Sequence, residues 1–188
     1  LNNFEKYRKT IMEVCFLILN PDGNYVGLKN TIGSIKLRSF NRDFVCIVGQ
    51  NTGSKELKEM KELCPTFKGK NTITSLINTG FKKIKKDWVC IVFSGSRIPS
   101  GIEKKWSLFC KNENDVLYPI VEKKYNFVEG SFNGVLINNN FFNKCGDFPE
   151  NIMQKQGMND FEFAKLLWSF DALKNGACFK GIIGMKVI

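Results

Sequence analysis

The sequence predicts an α/β fold with a mostly parallel central sheet and helices on both faces. Three observations carry this expectation. Short apolar runs alternate with amphipathic stretches through the first half of the chain. Each run ends in a cluster of small polar residues, the usual punctuation between a strand and a helix. The resulting order, β-α-β-α-(β)-α-β, is that of parallel strands joined by crossover helices.

Met12 to Leu19 reads as the first strand, closed by Asn20-Pro21-Asp22-Gly23. Leu28, Ile32 and Ile35 then recur at helical spacing. Phe44 to Val48 reads as the second strand, ended by Gly49-Gln50-Asn51-Thr52-Gly53. Ser54 is placed to cap a helix with Leu57, Met60 and Leu63 on its inner face, and Pro65 lies beyond its end. Ile73, Leu76, Ile77, Phe81 and Ile84 mark a third helix. Trp88 to Phe93 is the next strand, parallel and adjacent to those from Val14 and Phe44. In the second half, Ile102 to Cys110 reads as a helix. Val116 to Val121 and Phe132 to Ile137 read as strands with a charged connection between them. Asp160 to Lys174 reads as a helix with Phe161, Ala164, Leu167, Trp168 and Leu173 inward, stopped by Asn175-Gly176. Ala177 to Ile188 is a glycine-punctuated, strand-like tail. With no repeat and no linker, residues 1–188 are expected to form one domain.

Composition narrows the function. The 188 residues are 43% hydrophobic and 24% charged, with a net charge of +10. Apolar runs stay far below the ~20 residues of a membrane helix, and the polar first residues do not read as a signal peptide. The lysines are dispersed and read as a solvated basic surface. Basic-and-aromatic recognition patterns are absent, so nucleic acid is not an expected partner. The seven cysteines include no CxxC pair, and three lie in strand-like runs. They are expected to be free and mostly buried, as in a reducing compartment, which points to the cytoplasm. The chain has no histidine, which excludes Ser-His and Cys-His nucleophiles, a His base and His metal ligands. No GxGxxG or GxxxxGK[ST] occurs, so dinucleotide and P-loop sites have no motif support.

Ligands of open α/β sheets sit beyond the carboxyl ends of the strands. Three such ends are small and polar: Asn20 to Gly23, Gly49 to Gly53, and Ser94 to Pro99. Such residues also suit any strand-to-helix turn. Six segments, taken in order, resemble the family 2 glycosyltransferases of the GT-A fold. Cys15 to Asn20 resembles the opening strand that ends in Asn. Thr31-Ile32-Gly33-Ser34-Ile35 resembles the first helix with its Ser-Ile pair. Asn78-Thr79-Gly80 through Val89 resembles the Asn-x-Gly, helix and strand ahead of the metal motif. Ser94-Gly95-Ser96-Arg97 falls where that motif, Asp-x-Asp, belongs. Phe141 to Glu150 resembles a Gly-x-Phe-(Asp/Pro)-Glu turn, and Asn159-Asp160 the Glu-Asp start of the acceptor-side helix.

The resemblance implies a glycosyltransferase-like protein. A nucleotide-diphosphate sugar would lie across the strand ends, touching Asn20, Gln50, Asn51, Ser94, Ser96 and Arg97. Its acceptor is unnamed, with glycans and lipid-linked sugars both in the class. Asp160 matches the general base, and it equally reads as a helix N-cap. Ser94 and Ser96 in place of two carboxylates remove the hard, charged oxygen ligands of a divalent ion. No metal site and no cofactor are therefore expected, and the donor is a substrate. Arg97 or the lysines at 82, 83, 85 and 86 are the candidate diphosphate cations. The alternative is a non-catalytic GT-A-like binding or interaction module that has lost the metal site.

Overall fold

The computed structural model describes residues 12–121, 129–130, 132–150, 160–183 and 187. Its elements are β1 (Val14–Asn20), α1 (Tyr25–Arg38), β2 (Asp43–Gly49), α2 (Ser54–Leu63), β3 (Thr66–Gly69), α3 (Ile73–Lys83) and β4 (Trp88–Phe93). They continue with α4 (Ile102–Phe109), β5 (Asp115–Val121), β6 (Glu129–Gly130), β7 (Val135–Asn138), α5 (Asn139–Cys145), α6 (Asp160–Lys174) and β8 (Cys178–Ile183). The strands form one sheet in the order β3-β2-β1-β4-β7-β5-β6, with β8 paired to β5. β3, β2, β1 and β4 are mutually parallel, and β8 is parallel to β5. β7 enters antiparallel between β4 and β5. The three strands from Val14, Phe44 and Trp88 are thus adjacent and parallel, as the sequence predicts.

β1 is buried along its whole length, because it is an interior strand covered on both faces, and such strands read as continuous apolar runs. Its alternate side chains feed two cores. Phe16 and Ile18 join Leu28, Ile32 and Ile35 of α1, Met60 of α2, and Ile102 and Trp106 of α4. Leu17 and Leu19 join Leu76 and Phe81 of α3, Phe142 of α5, and Ala164 and Trp168 of α6. Helices therefore cover both faces. Each large side chain buried in these layers contributes roughly 1.5–3 kcal/mol.

The helix starts follow local chemistry. Asn24, Thr72 and Asn138 each accept a hydrogen bond from the amide three residues on, capping α1, α3 and α5. Lys36 and Arg38 close α1, where cations favour the helix dipole.

Four sequence expectations change. Ser54 does not cap α2: it is the first helical residue, after Gly53, and no side chain caps that end. Phe141 to Glu150 is a turn only in its second half, because the Asn138 cap starts α5 over its first half. Leu173 is 53% exposed rather than buried, because it lies about 100° around α6 from Ala172, which takes the inward position. The strand expected from Phe132 starts at Val135, after a turn. The reading of the N-terminal nine residues, most of the charged connection after Val121, and Asn159 lie outside the described residues. All seven cysteines are free; five are buried, Cys145 is half-buried and Cys178 is exposed.

Candidate functional site

The carboxyl ends of β1, β2 and β3 frame a cleft of about 470 Å³, lined by Pro21, Asp22, Asn51, Thr52, Glu56 and Asn71. Its floor is tight. A Cβ on Gly49 would lie 2.4 Å from the Pro21 carbonyl and 2.7 Å from Asn71 Oδ1. Only glycine lets the three loops meet there. Lys68 of β3 holds the β2–α2 loop from outside, donating to the carbonyls of Gln50 at 3.1 Å and Thr52 at 2.7 Å. The cleft carries two carboxylates, Asp22 and Glu56, and two amides, Asn51 and Asn71. Thr52 Oγ1 is buried without a hydrogen-bond partner. A buried hydroxyl in that state costs about 1–3 kcal/mol.

Of the residues expected to bind a donor, Asn51 lines this cleft and Gln50 stands exposed beside it. Asn20 is buried, and its side chain is absorbed by its own loop. Its Oδ1 accepts from the Asn24 amide at 2.9 Å, and its Nδ2 donates to the Asn24 carbonyl at 3.2 Å. Asn20 therefore shapes the loop that Asp22 occupies.

Ser94 to Ile98 leaves β4 and runs down α1. The Gly95 amide donates to Thr31 Oγ1 at 2.9 Å, and the Ile98 amide to Ser34 Oγ at 2.9 Å. Ser94 Oγ reaches the Asn24 carbonyl at 3.4 Å. Ser96 is buried and accepts from Asn133 Nδ2 at 3.0 Å, while Asn133 Oδ1 accepts from the Phe93 amide at 3.1 Å. Arg97 is exposed on this loop.

Asp160 is exposed in the first turn of α6. Its neighbour Phe161 meets Phe132 edge-on at 5.3 Å, and Phe132 meets Phe148 at 5.7 Å. Asn133, next to Phe132, is the residue that holds Ser96. This relay ties the start of α6 to the loop after β4. Phe148 in turn stacks on Trp168 of α6 at 4.9 Å. The buried side chain of Asn78 pins Phe148 through both its amide and its carbonyl.

A divalent ion asks for hard, charged oxygen ligands. The loop after β4 supplies two neutral hydroxyls, both already in hydrogen bonds, and among the described residues no cluster of three or more His, Cys, Asp or Glu could hold a metal. The donor set does not fit the ion. The sequence reading missed Asn133, Glu56 and Asn71, and reached Thr52 only within the Gly49 to Gly53 strand end. Asn133-Gly134 carried a turn signal, but its contact with Ser96 spans 37 positions and is purely tertiary.

No family model matches the sequence, and no curated protein matches it. Solved structures do. GalNAc-T7 with UDP, GalNAc and Mn²⁺ superposes with a TM-score of 0.72 at 11% identity, over 93% of this chain and 43% of that one. TarS 1-349 of S. aureus superposes with a TM-score of 0.66 at 12% identity, over 94% of this chain and 59% of that one. The chain spans about half the length of these neighbours. The fold is that of the GT-A glycosyltransferases.

Proposed function

We propose that the chain is a glycosyltransferase-like protein of the family 2 type, which binds a nucleotide-diphosphate sugar and passes the sugar to an acceptor hydroxyl. The observation that carries the reading is the cleft across the ends of β1, β2 and β3 in a GT-A fold, lined by Asp22, Asn51, Glu56 and Asn71. Asp22 and Glu56 are acceptors suited to ribose hydroxyls or the N–H edge of a base. Arg97 is a fork of donors suited to a diphosphate oxygen pair. Asp160, the exposed carboxylate in the first turn of α6, is assigned the acceptor's proton. The acceptor oxygen bonds to the anomeric carbon, the bond to the diphosphate oxygen breaks, and the nucleoside diphosphate leaves with the electron pair. Ser94 and Ser96 stand in for the family's metal carboxylates, so no step is assigned to an ion.

A second reading has its own observation. Asn20, Ser94 and Ser96 are all engaged by the protein itself, as in a fold kept for binding alone. Calorimetric titration with nucleoside diphosphates and their sugars, with and without Mn²⁺, separates the cases. Binding that is equal in both arms, with turnover lost in Asp160→Asn, supports transfer without a bound ion. Binding that appears only with Mn²⁺ overturns that assignment. Binding without turnover supports the second reading.

A further inference from the structure

The +10 charge of the chain is unevenly distributed over the described surface. No acidic residue occurs from Asn24 through Arg42, nor from Lys104 through Asn112. The first span is α1 and its exit; the second is most of α4 and the turn after it. Both helices cover the same face of the sheet. They also adjoin: Arg38 donates to the Ile98 carbonyl at 3.2 Å, and Glu103 of α4 accepts from the Phe40 amide at 2.9 Å and from Ser39 Oγ. Glu103, the acid that opens α4, is buried by these bonds and adds nothing to the outer surface. Of the bordering acids, Glu13 and Asp43 are paired with Lys86, and Glu113 is exposed just past the second span. The face presents Lys29, Lys36, Arg42, Lys104 and Lys111 to solvent.

Among these cations stand apolar side chains that the described residues leave exposed. Leu37 is 85% exposed, Phe40 77% and Leu108 66%, joined by Val26 and Phe109. The neighbouring helix α2 is different: Lys55, Glu56, Lys58, Glu59, Lys61 and Glu62 alternate in sign, as on an ordinary solvated helix.

We propose that the α1–α4 face docks on an anionic membrane surface. Cations attract acidic headgroups, and leucine and phenylalanine enter the headgroup boundary, the combination that holds amphipathic surfaces on bilayers. The charge argument selects this occupant. A second copy of the chain meeting the same face would set two acid-free surfaces against each other. A nucleic-acid backbone would use the cations but leave the aliphatic Leu37 and Leu108 in water. The inference does not depend on the donor site.

The test is cosedimentation of the full chain with vesicles of phosphatidylcholine alone or mixed with phosphatidylglycerol, at low and high salt. Binding is expected only to the mixed vesicles, and high salt weakens it. Lys29→Gln/Arg42→Gln/Lys104→Gln should lower binding by about a hundredfold, each cation contributing about fivefold at an anionic surface. Leu37→Ser/Phe40→Ser should lower it by at least about tenfold, with thermal unfolding unchanged because both side chains are exposed. The charge-matched control Lys55→Gln/Lys58→Gln/Lys61→Gln on α2 should bind as wild type. Equal binding to both vesicles, an equal loss in the α2 control, or no binding at all would overturn the proposal. So would tighter binding to duplex DNA or RNA that the serine variant leaves untouched.

Discussion

Replacing Asn78 with alanine is expected to loosen one whole side of the molecule. Asn78 Nδ2 donates to the Phe148 carbonyl at 2.9 Å and to Glu150 Oε1 at 3.0 Å, and its Oδ1 accepts from the Phe148 amide at 2.8 Å. Alanine leaves both backbone groups of Phe148 without partners. Each costs about 1–3 kcal/mol when buried, and the loss of the asparagine's own desolvation returns part of that. The net expectation is about 3 kcal/mol. For a chain of this size that lowers Tm by roughly 6–12 °C. The consequence reaches α6, because Phe148 stacks on Trp168. Glu150→Gln is the matched comparison. It removes the ion pair with Lys70 at 3.1 Å, whose lysine is largely exposed, and should cost about 0.5 kcal/mol. Urea unfolding followed by tryptophan fluorescence gives both values. A loss below about 1 kcal/mol for Asn78→Ala, or equal losses for the two variants, would refute the reasoning.

Two further outcomes follow from the packing. Burial pushes the Asp115 carboxyl up, but hydrogen bonds from Lys180 and from the Lys111 and Asn112 amides outweigh it and hold the group below its ordinary value of 3.8. Because the folded value is the lower one, its stabilisation is complete above that pH and is lost as pH falls through the folded value; urea midpoints of wild type and Asp115→Asn should differ at pH 7 and converge in acid, and a constant difference would contradict this. Gly80→Ala would put a Cβ 2.3 Å from Leu17 Cδ1 where α3 crosses β1; it should cost about 1–3 kcal/mol, partly recovered by adding Leu17→Val, and full stability of the single variant would show that α3 can shift freely.

Much of the sheet was legible because burial on two faces writes itself as continuous apolar runs. Val14 to Leu19 and Trp88 to Phe93 have few other readings, and Asn20 to Gly23 marks its turn by composition alone. The second half was harder. β7 is four residues, and its partner choice between β4 and β5 is set across the sheet rather than within its own sequence. α5 is short and rich in asparagine, residues of weak helix propensity, and only the Asn138 cap and the burial of Phe141 and Phe142 fix it. The candidate site divided in the same way. Strand ends could be located from pattern, and Asn51 with them. That Asn20 would be consumed by its own loop, or Ser96 by Asn133, depends on which groups the fold brings within 3 Å.

The pairing of β8 with β5 bears on how the chain folds during synthesis. β2 joins β1 and β3 joins β2 across 28 and 20 positions, and β4 then closes on β1 across 74. β5 must wait for β8, whose Cys178 to Ile183 register with Asp115 to Ile120 spans 63 positions and includes α6. Until the ribosome has delivered β8, that edge of β5 is bare and Asp115 has no Lys180. The nascent chain is therefore open to mispairing at β5 after β1 to β4 have closed. A strand-edge binder such as a chaperone would find its target on β5 and lose it when β8 docks.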